Sequence, residues 1–271
     1  MKKLLVLFCI TSSIAANAQL KEGKVVYERT IQIQNRFRGG DNEAIARRLP
    51  TSRTDNFELL FTKTHSLWQS LPDANTEAST MTSGDGPGRM QVMRFGGIDD
   101  VVYYNFEAGK RIDQRELGDK NFIIEDSIRR LSWKLTDETK TILGYTARKA
   151  TSQRVGSRMQ MGMENGEMKR REVPDTAYIS AWFTTDIPVP AGPEFGGQLP
   201  GLILELDMNN GRTVYKAVEI SPKVKVDIIK EPKKGKRMTA AEFRKETDKY
   251  MEEMRNNIQR NGGNIRIQTN Q

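Results

Sequence analysis

Cysteine and histidine are nearly absent: the 271 residues hold one of each, Cys9 and His65. A lone cysteine excludes an internal disulfide framework, so packing must hold the fold. A lone histidine leaves any Ser/His/Asp site only His65 to work with, and no G-x-S-x-G elbow accompanies it. His65 falls between two predicted strands, the ordinary place for a turn or edge histidine. Adjacent acids such as Asp99-Asp100 and Glu125-Asp126 point to opposite faces of a strand. Hydrolysis by two carboxylates needs both aimed at one bond. The glycine-rich piece from Gly84 to Gly88 lacks the Lys-Ser/Thr of a phosphate loop. No catalytic set and no cofactor-binding set emerge, and the chain reads as a non-enzyme.

Long apolar runs are also missing outside the N-terminus. Residues 1–18 read as a signal peptide, with Lys2 and Lys3 as the charged start and Leu4 to Ile10 as the apolar segment. Ala16-Asn17-Ala18 supplies the small-x-small cleavage site. That run is too short to span a bilayer, so no transmembrane anchor is expected after processing. Phe8 precedes Cys9 where lipidation would want a small residue. The expected location is the periplasm, the outer envelope or the medium, and export removes the one cysteine.

Formal net charge is +8, and it is uneven. From Arg212 onward 15 Lys and Arg stand against 8 Asp and Glu. In an exported protein such a basic tail points to anionic envelope surfaces, and to outer-membrane proteins as further candidate partners, before nucleic acid. A solvated surface helix with spare lysines explains it equally well.

What is present is mostly β pattern. Lys24–Gln34 alternates cleanly, and Phe57, Leu59 and Phe61 alternate before a partner strand at Leu67-Trp68. Asp41 to Leu49 predicts a short helix, and residues 73–97 a flexible loop. Strands over Val101–Phe106, Lys110–Leu117, Phe122–Ile124 and Leu131–Leu135 follow at the spacing of an antiparallel meander. Thr139–Thr151 and Tyr178–Thr185 predict two longer strands, and Lys223–Ile229 one more. The expected fold is mainly β: a curved antiparallel sheet or partly open barrel of about 8–10 strands over 19–230. The basic segment 231–271 carries an amphipathic helix over 239–260. It opens on the capping box Thr239-Ala240-Ala241-Glu242, with Phe243, Tyr250, Met251, Met254 and Ile258 at helical spacing.

The stretch from Ile187 to Ile220 organises the rest. Pro200-Gly201 predicts a type II turn, and Asn210-Gly211 a two-residue hairpin loop. That loop sets Asp207 opposite Val214, Glu205 opposite Lys216 and Ile203 opposite Val218. Leu202, Leu204, Leu206 and Tyr215 then form a buried face. The hairpin's role reads as core, with any binding left to the Gly192–Gln198 loop before it.

Leu199-Pro200-Gly201-Leu202-Ile203, preceded by Gly192-Pro193 and Gly196-Gly197, resembles the signature of the GLPGLI family of bacterial envelope proteins. Gln198 stands where that signature's first glycine is expected. Trp133-Lys134-Leu135, Thr139 to Tyr145, Lys149-Ala150 and Ala181 to Pro188 extend the resemblance. It implies an exported envelope protein and no established activity.

Met159, Met161 and Met163 recur at every second position. If extended, they present three thioethers on one face, a chemistry that selects Cu(I). Methionines filling gaps in a hairpin closed by Asn165-Gly166 are the plainer reading. Three function classes follow: a non-catalytic envelope binding or assembly protein, a carrier of a hydrophobic ligand on a concave sheet, or a Met-based Cu(I) binder.

Overall fold

The computed structural model describes residues 19–33, 51–71, 100–164 and 167–260. The expected signal peptide, the helix over 41–49, the 73–97 loop, the Asn165-Gly166 turn and residues beyond 260 lie outside these.

Twelve strands form one open, curved sheet: β1 (Gly23–Gln32), β2 (Ser52–Phe61), β3 (His65–Ser70), β4 (Val101–Asn105), β5 (Lys110–Leu117), β6 (Lys120–Ser127), β7 (Lys134–Ile142), β8 (Tyr145–Glu164), β9 (Glu167–Thr184), β10 (Leu202–Met208), β11 (Thr213–Ser221) and β12 (Lys236–Thr239). Their order is β12-β6-β5-β4-β3-β2-β1-β11-β10-β9-β8-β7. Among the described residues the sheet therefore ends in β12 and β7, and it has more strands than the sequence predicted. All neighbours are antiparallel except β12, which joins β6 in parallel.

Three differences from the sequence reading have local causes. Thr139–Thr151 is a hairpin, not one strand: Leu143 and Gly144 both take positive φ, 50° and 84°, as a tight primed turn requires. Lys223–Ile229 is no strand but a crossing segment with a 3-10 turn at Val226–Ile228. Its Ile229 is buried against Leu60, Leu67, Tyr103, Ile112 and Ile123, covering one face. Gly201 is absent from the positive-φ residues, so Pro200-Gly201 is not a type II turn. Its backbone instead presses on β9: a Cβ there would lie 2.0 Å from the Thr184 carbonyl oxygen.

The other face carries the main core. Val25 and Tyr27 on β1, Leu59 and Phe61 on β2, and Leu206 and Tyr215 on the β10–β11 hairpin are all buried in one cluster. The Asn210-Gly211 turn sets the predicted register, Asp207 with Val214 and Glu205 with Lys216. A register shift between Ile203 and Glu205 against β9 interrupts the alternation, and both Ile203 and Leu204 are buried. The proline-rich loop between β9 and β10 lies over this face and buries Ile187, Val189, Ala191, Phe195 and Leu199 in it.

The helix α1 (Ala240–Arg260) starts at the predicted capping box. Thr239 N–H donates to Glu242 Oε2 at 2.7 Å, and Glu242 N–H to Thr239 Oγ1 at 3.2 Å. Phe243 packs edge-on against Phe122 with centroids 5.6 Å apart, which fixes the helix on the β6–β12 end. Among the described residues no helix is long and apolar enough to cross a membrane.

Candidate functional site

Charged residues at period two mark the site. On β2 Arg53 and Asp55, and on β5 Arg111, Asp113 and Arg115, alternate with residues of the opposite face. Register places them on the face of Val25 and Tyr27: Arg29 pairs with Asp55 and with Tyr215, and Tyr104 pairs with Arg111. Trp68 on β3 and Tyr215 on β11 bring their ring centroids to 5.8 Å. Their strands are three places apart in the sheet, roughly 14 Å if it were flat. This face is therefore the inside of the curve.

Two Arg–Asp groups line that hollow. In one, Asp55 accepts from Arg29 Nη2 at 2.7 Å and from Arg53 Nε at 2.7 Å. Burial alone would raise the Asp55 pKa, but the two guanidiniums outweigh it and hold the carboxyl below the usual range. In the other, Arg111 Nε donates to Asp113 Oδ1 at 2.7 Å, and Arg115 reaches both Asp113 at 3.1 Å and Asp100 at 2.9 Å. Burial works against the Arg111 charge, yet Tyr104, Asp113 and Glu194 leave its pKa above the ordinary value. Between the groups Phe57 stacks on Trp68 at 5.1 Å, both only partly buried, and the Arg29 guanidinium lies 4.5 Å from the Phe57 centroid. Arg29 Nε is buried without a hydrogen-bond partner among the described residues.

The β9–β10 loop closes one end. Glu194, exposed and in a left-handed conformation (φ 57°), accepts from Tyr104 Oη through its carbonyl at 3.0 Å. Its carboxylate takes the Tyr215 hydroxyl at 2.8 Å. Burial, then the Glu194 charge, pushes the Tyr215 pKa up. Gly196 lets the loop lie on the Tyr104 ring, since a Cβ there would sit 3.1 Å from it.

The residues singled out from sequence divide between loop, core and arm. Pro193 and Leu199 are buried loop residues, and Leu202 and Ile203 are core. Gly192 and Gly197 serve close approach: a Cβ would lie 2.6 Å from Ile203 and 2.7 Å from Ile128. Gln198 Oε1 accepts from Leu131 N and Trp133 Nε1, at 3.0 and 3.1 Å. Met159, Met161 and Met163 occupy alternate positions of β8, opposite Glu172, Arg170 and Met168 of β9. Their side chains lie outside the described residues. His65 begins β3, with Thr64 Oγ1 2.7 Å from its Nδ1 and Tyr103 stacked at 5.7 Å on the face away from the hollow. Among the described residues, no three His, Cys, Asp or Glu side chains are grouped to hold a metal ion.

Comparisons with known proteins bear on this architecture through two solved structures. A family model described as a protein of unknown function (Porph_ging) matches residues 133–205, from the start of β7 to β10. Two solved structures of PNGF-II share the fold. One, in a C2 space group, aligns with a TM-score of 0.51 at 15% identity over 84% of this chain. The other, in P21, aligns with a TM-score of 0.52 at 16% identity over 85%. This chain spans about a third of the length of each, 33% and 34%. No curated protein matches.

Proposed function

We propose that this protein is an exported, non-catalytic binding protein of the envelope, and that its ligand sits in the hollow floored by Phe57 and Trp68. The observation that carries this is the division of the inner face. Its apolar half is filled by the chain's own loop, through Ile187, Val189, Phe195 and Leu199. Its other half holds partly exposed aromatics between two Arg–Asp groups. Concave sites with an aromatic lining and a few fixed polar groups are where small ligands bind. Arg29, Arg53, Arg111 and Arg115 are balanced by Asp55, Asp100, Asp113 and Glu194. An uncharged or zwitterionic polar ligand fits that balance better than a strongly charged one. A hydrophobic-ligand carrier would need the space that the loop occupies.

Resemblance of Leu199–Ile203, inside the matched segment, to the GLPGLI signature supports an envelope location. The basic residues after Arg212 add an anionic surface as a secondary contact. A second reading, Cu(I) capture, is favoured by the alternate β8 positions of Met159, Met161 and Met163. Replacing all three by Leu should then abolish copper binding with the fold intact.

Mass spectrometry of what co-purifies with the natively exported protein tests the main reading. Material retained by the parent should be lost from Trp68→Ala and from Arg115→Ala, each still folded by circular dichroism. Equal retention by both variants, or no retained small molecule in the parent, would overturn it.

A further inference from the structure

We infer that the outer edge of β8 is a self-association edge, on which a second copy of this chain pairs antiparallel about Met159. β8 and β9 run together from Arg148–Phe183 out to Glu164–Glu167. Their neighbours stop much earlier. β7 accompanies β8 only to Thr151, and β10 accompanies β9 only from Ile179. Among the described residues the pair is, beyond Ser152, a two-stranded ribbon roughly 40 Å long. Gln153 to Ser157 are all exposed, Val155 at 79%. A two-stranded ribbon is marginal in water by itself, and its free edges are templates for another strand.

The two edges are not equivalent. β9 carries Pro174, in register with Ser157, and a proline inside a ladder turns its missing donor outward. β8 has no proline from Tyr145 to Glu164, so its edge offers an unbroken row of donors and acceptors.

The sequence of β8 is complementary to itself. Antiparallel pairing about Met159 sets Arg154 opposite Glu164 twice, once at each end. Between them Val155 faces Met163 and Gly156 faces Gly162, and no like charges meet. Centring on Met161 would also join Arg158 to Glu164, but over only seven positions before the strand ends. Centring on Met159 uses eleven. In that arrangement the paired positions end at Arg154, short of Ser152, whose hydroxyl donates to the Ser132 carbonyl where the body of the sheet begins. The product is a continuous four-stranded ribbon with β9 on both outer edges.

The test uses the full chain with Cys9→Ser, so that any added cysteine is the only one. Residues facing each other across an antiparallel pair have Cα atoms about 4.5–5.5 Å apart, within disulfide range. Met159→Cys should therefore give a disulfide-linked dimer on mild oxidation, well ahead of Met161→Cys or Gln153→Cys. Sedimentation of the chain without added cysteine should show a concentration-dependent dimer. Arg154→Glu should raise its dissociation constant about tenfold, and Arg154→Glu with Glu164→Arg should restore it. A monomer at every concentration, equal cross-linking at the three positions, or no rescue by the charge exchange would overturn the inference. Rescue by the exchange also separates a lost contact from a misfolded ribbon.

Discussion

Tyr215 donates its hydroxyl hydrogen to Glu194 Oε1 at 2.8 Å, joining the β11 end of the hollow to the loop that closes it. The same loop residue accepts from Tyr104 on β4 through its carbonyl, so one residue spans the inner face. Holding Glu194 at φ 57° costs backbone energy that these two bonds offset.

Tyr215→Phe should therefore lower stability by about 1 kcal/mol, since Glu194 is exposed and water replaces part of the lost bond. In a Glu194→Ala background the same change should cost clearly less, the remainder reflecting the Tyr215 contact with Arg29. Denaturant titrations of the four proteins in the cycle decide this; an equal cost in both backgrounds would show that the Glu194 bond contributes nothing.

Two glycines of the organising stretch separate steric from conformational need. Gly201 has no positive φ, but a Cβ would meet the Thr184 carbonyl oxygen at 2.0 Å. Gly211 has open space around it but φ 86°. Gly201→Ala should cost about 1–3 kcal/mol by overpacking, and Gly211→Ala about 1 kcal/mol by strain. The ratio of urea midpoints checks this, and a greater loss at Gly211 would reverse the assignment.

Asp55 makes part of the stability depend on acid. Its folded pKa lies below the ordinary carboxyl value of about 3.9, because Arg29 and Arg53 outweigh burial. The contribution is then fully present above roughly pH 4 and fades as pH falls through the folded pKa. Asp55→Asn should be less stable than the parent at pH 7, with the gap closing toward pH 2. A gap that stays constant across that range would mean Asp55 contributes only its shape.

Much of this was legible because it is local. The capping box, the Asn210-Gly211 turn and the Glu205–Lys216 register follow from residues within a few positions of each other. Even so, the Glu205 carboxylate pairs with Lys140 at 2.8 Å, on a strand three places away, which no hairpin argument could reach. The hollow was missed for a related reason. Arg111, Asp113 and Arg115 alternate with Ile112 and Gln114, and alternation alone reads the charged side as facing open water. Only the sheet's curvature, a property of twelve strands, turns that side inward. The parallel β12 likewise depends on the chain crossing the reverse face of β2 to β6 before it returns.

Gln198, standing where the resembling signature is expected to have glycine, provides the last prediction. Its Oε1 takes two donors, the Leu131 amide and the Trp133 indole N–H, and Trp133 in turn packs edge-on against Phe195 at 5.6 Å. The side chain thus ties the segment before β7 to the loop over the core, a task that glycine cannot perform. Gln198→Gly should leave both donors without this acceptor. Because Leu131 and Trp133 are only partly buried, water recovers some of the loss, and the expected cost is about 1–3 kcal/mol. Gln198→Glu keeps an acceptor oxygen in place and should retain most of the stability near neutral pH. Tryptophan fluorescence gives a second readout, since Trp133 should become more solvent-exposed in the glycine variant and stay protected in the glutamate variant. If both variants match the parent in denaturant midpoint and emission, the two bonds are incidental and the loop is held by Phe195 and Leu199 alone.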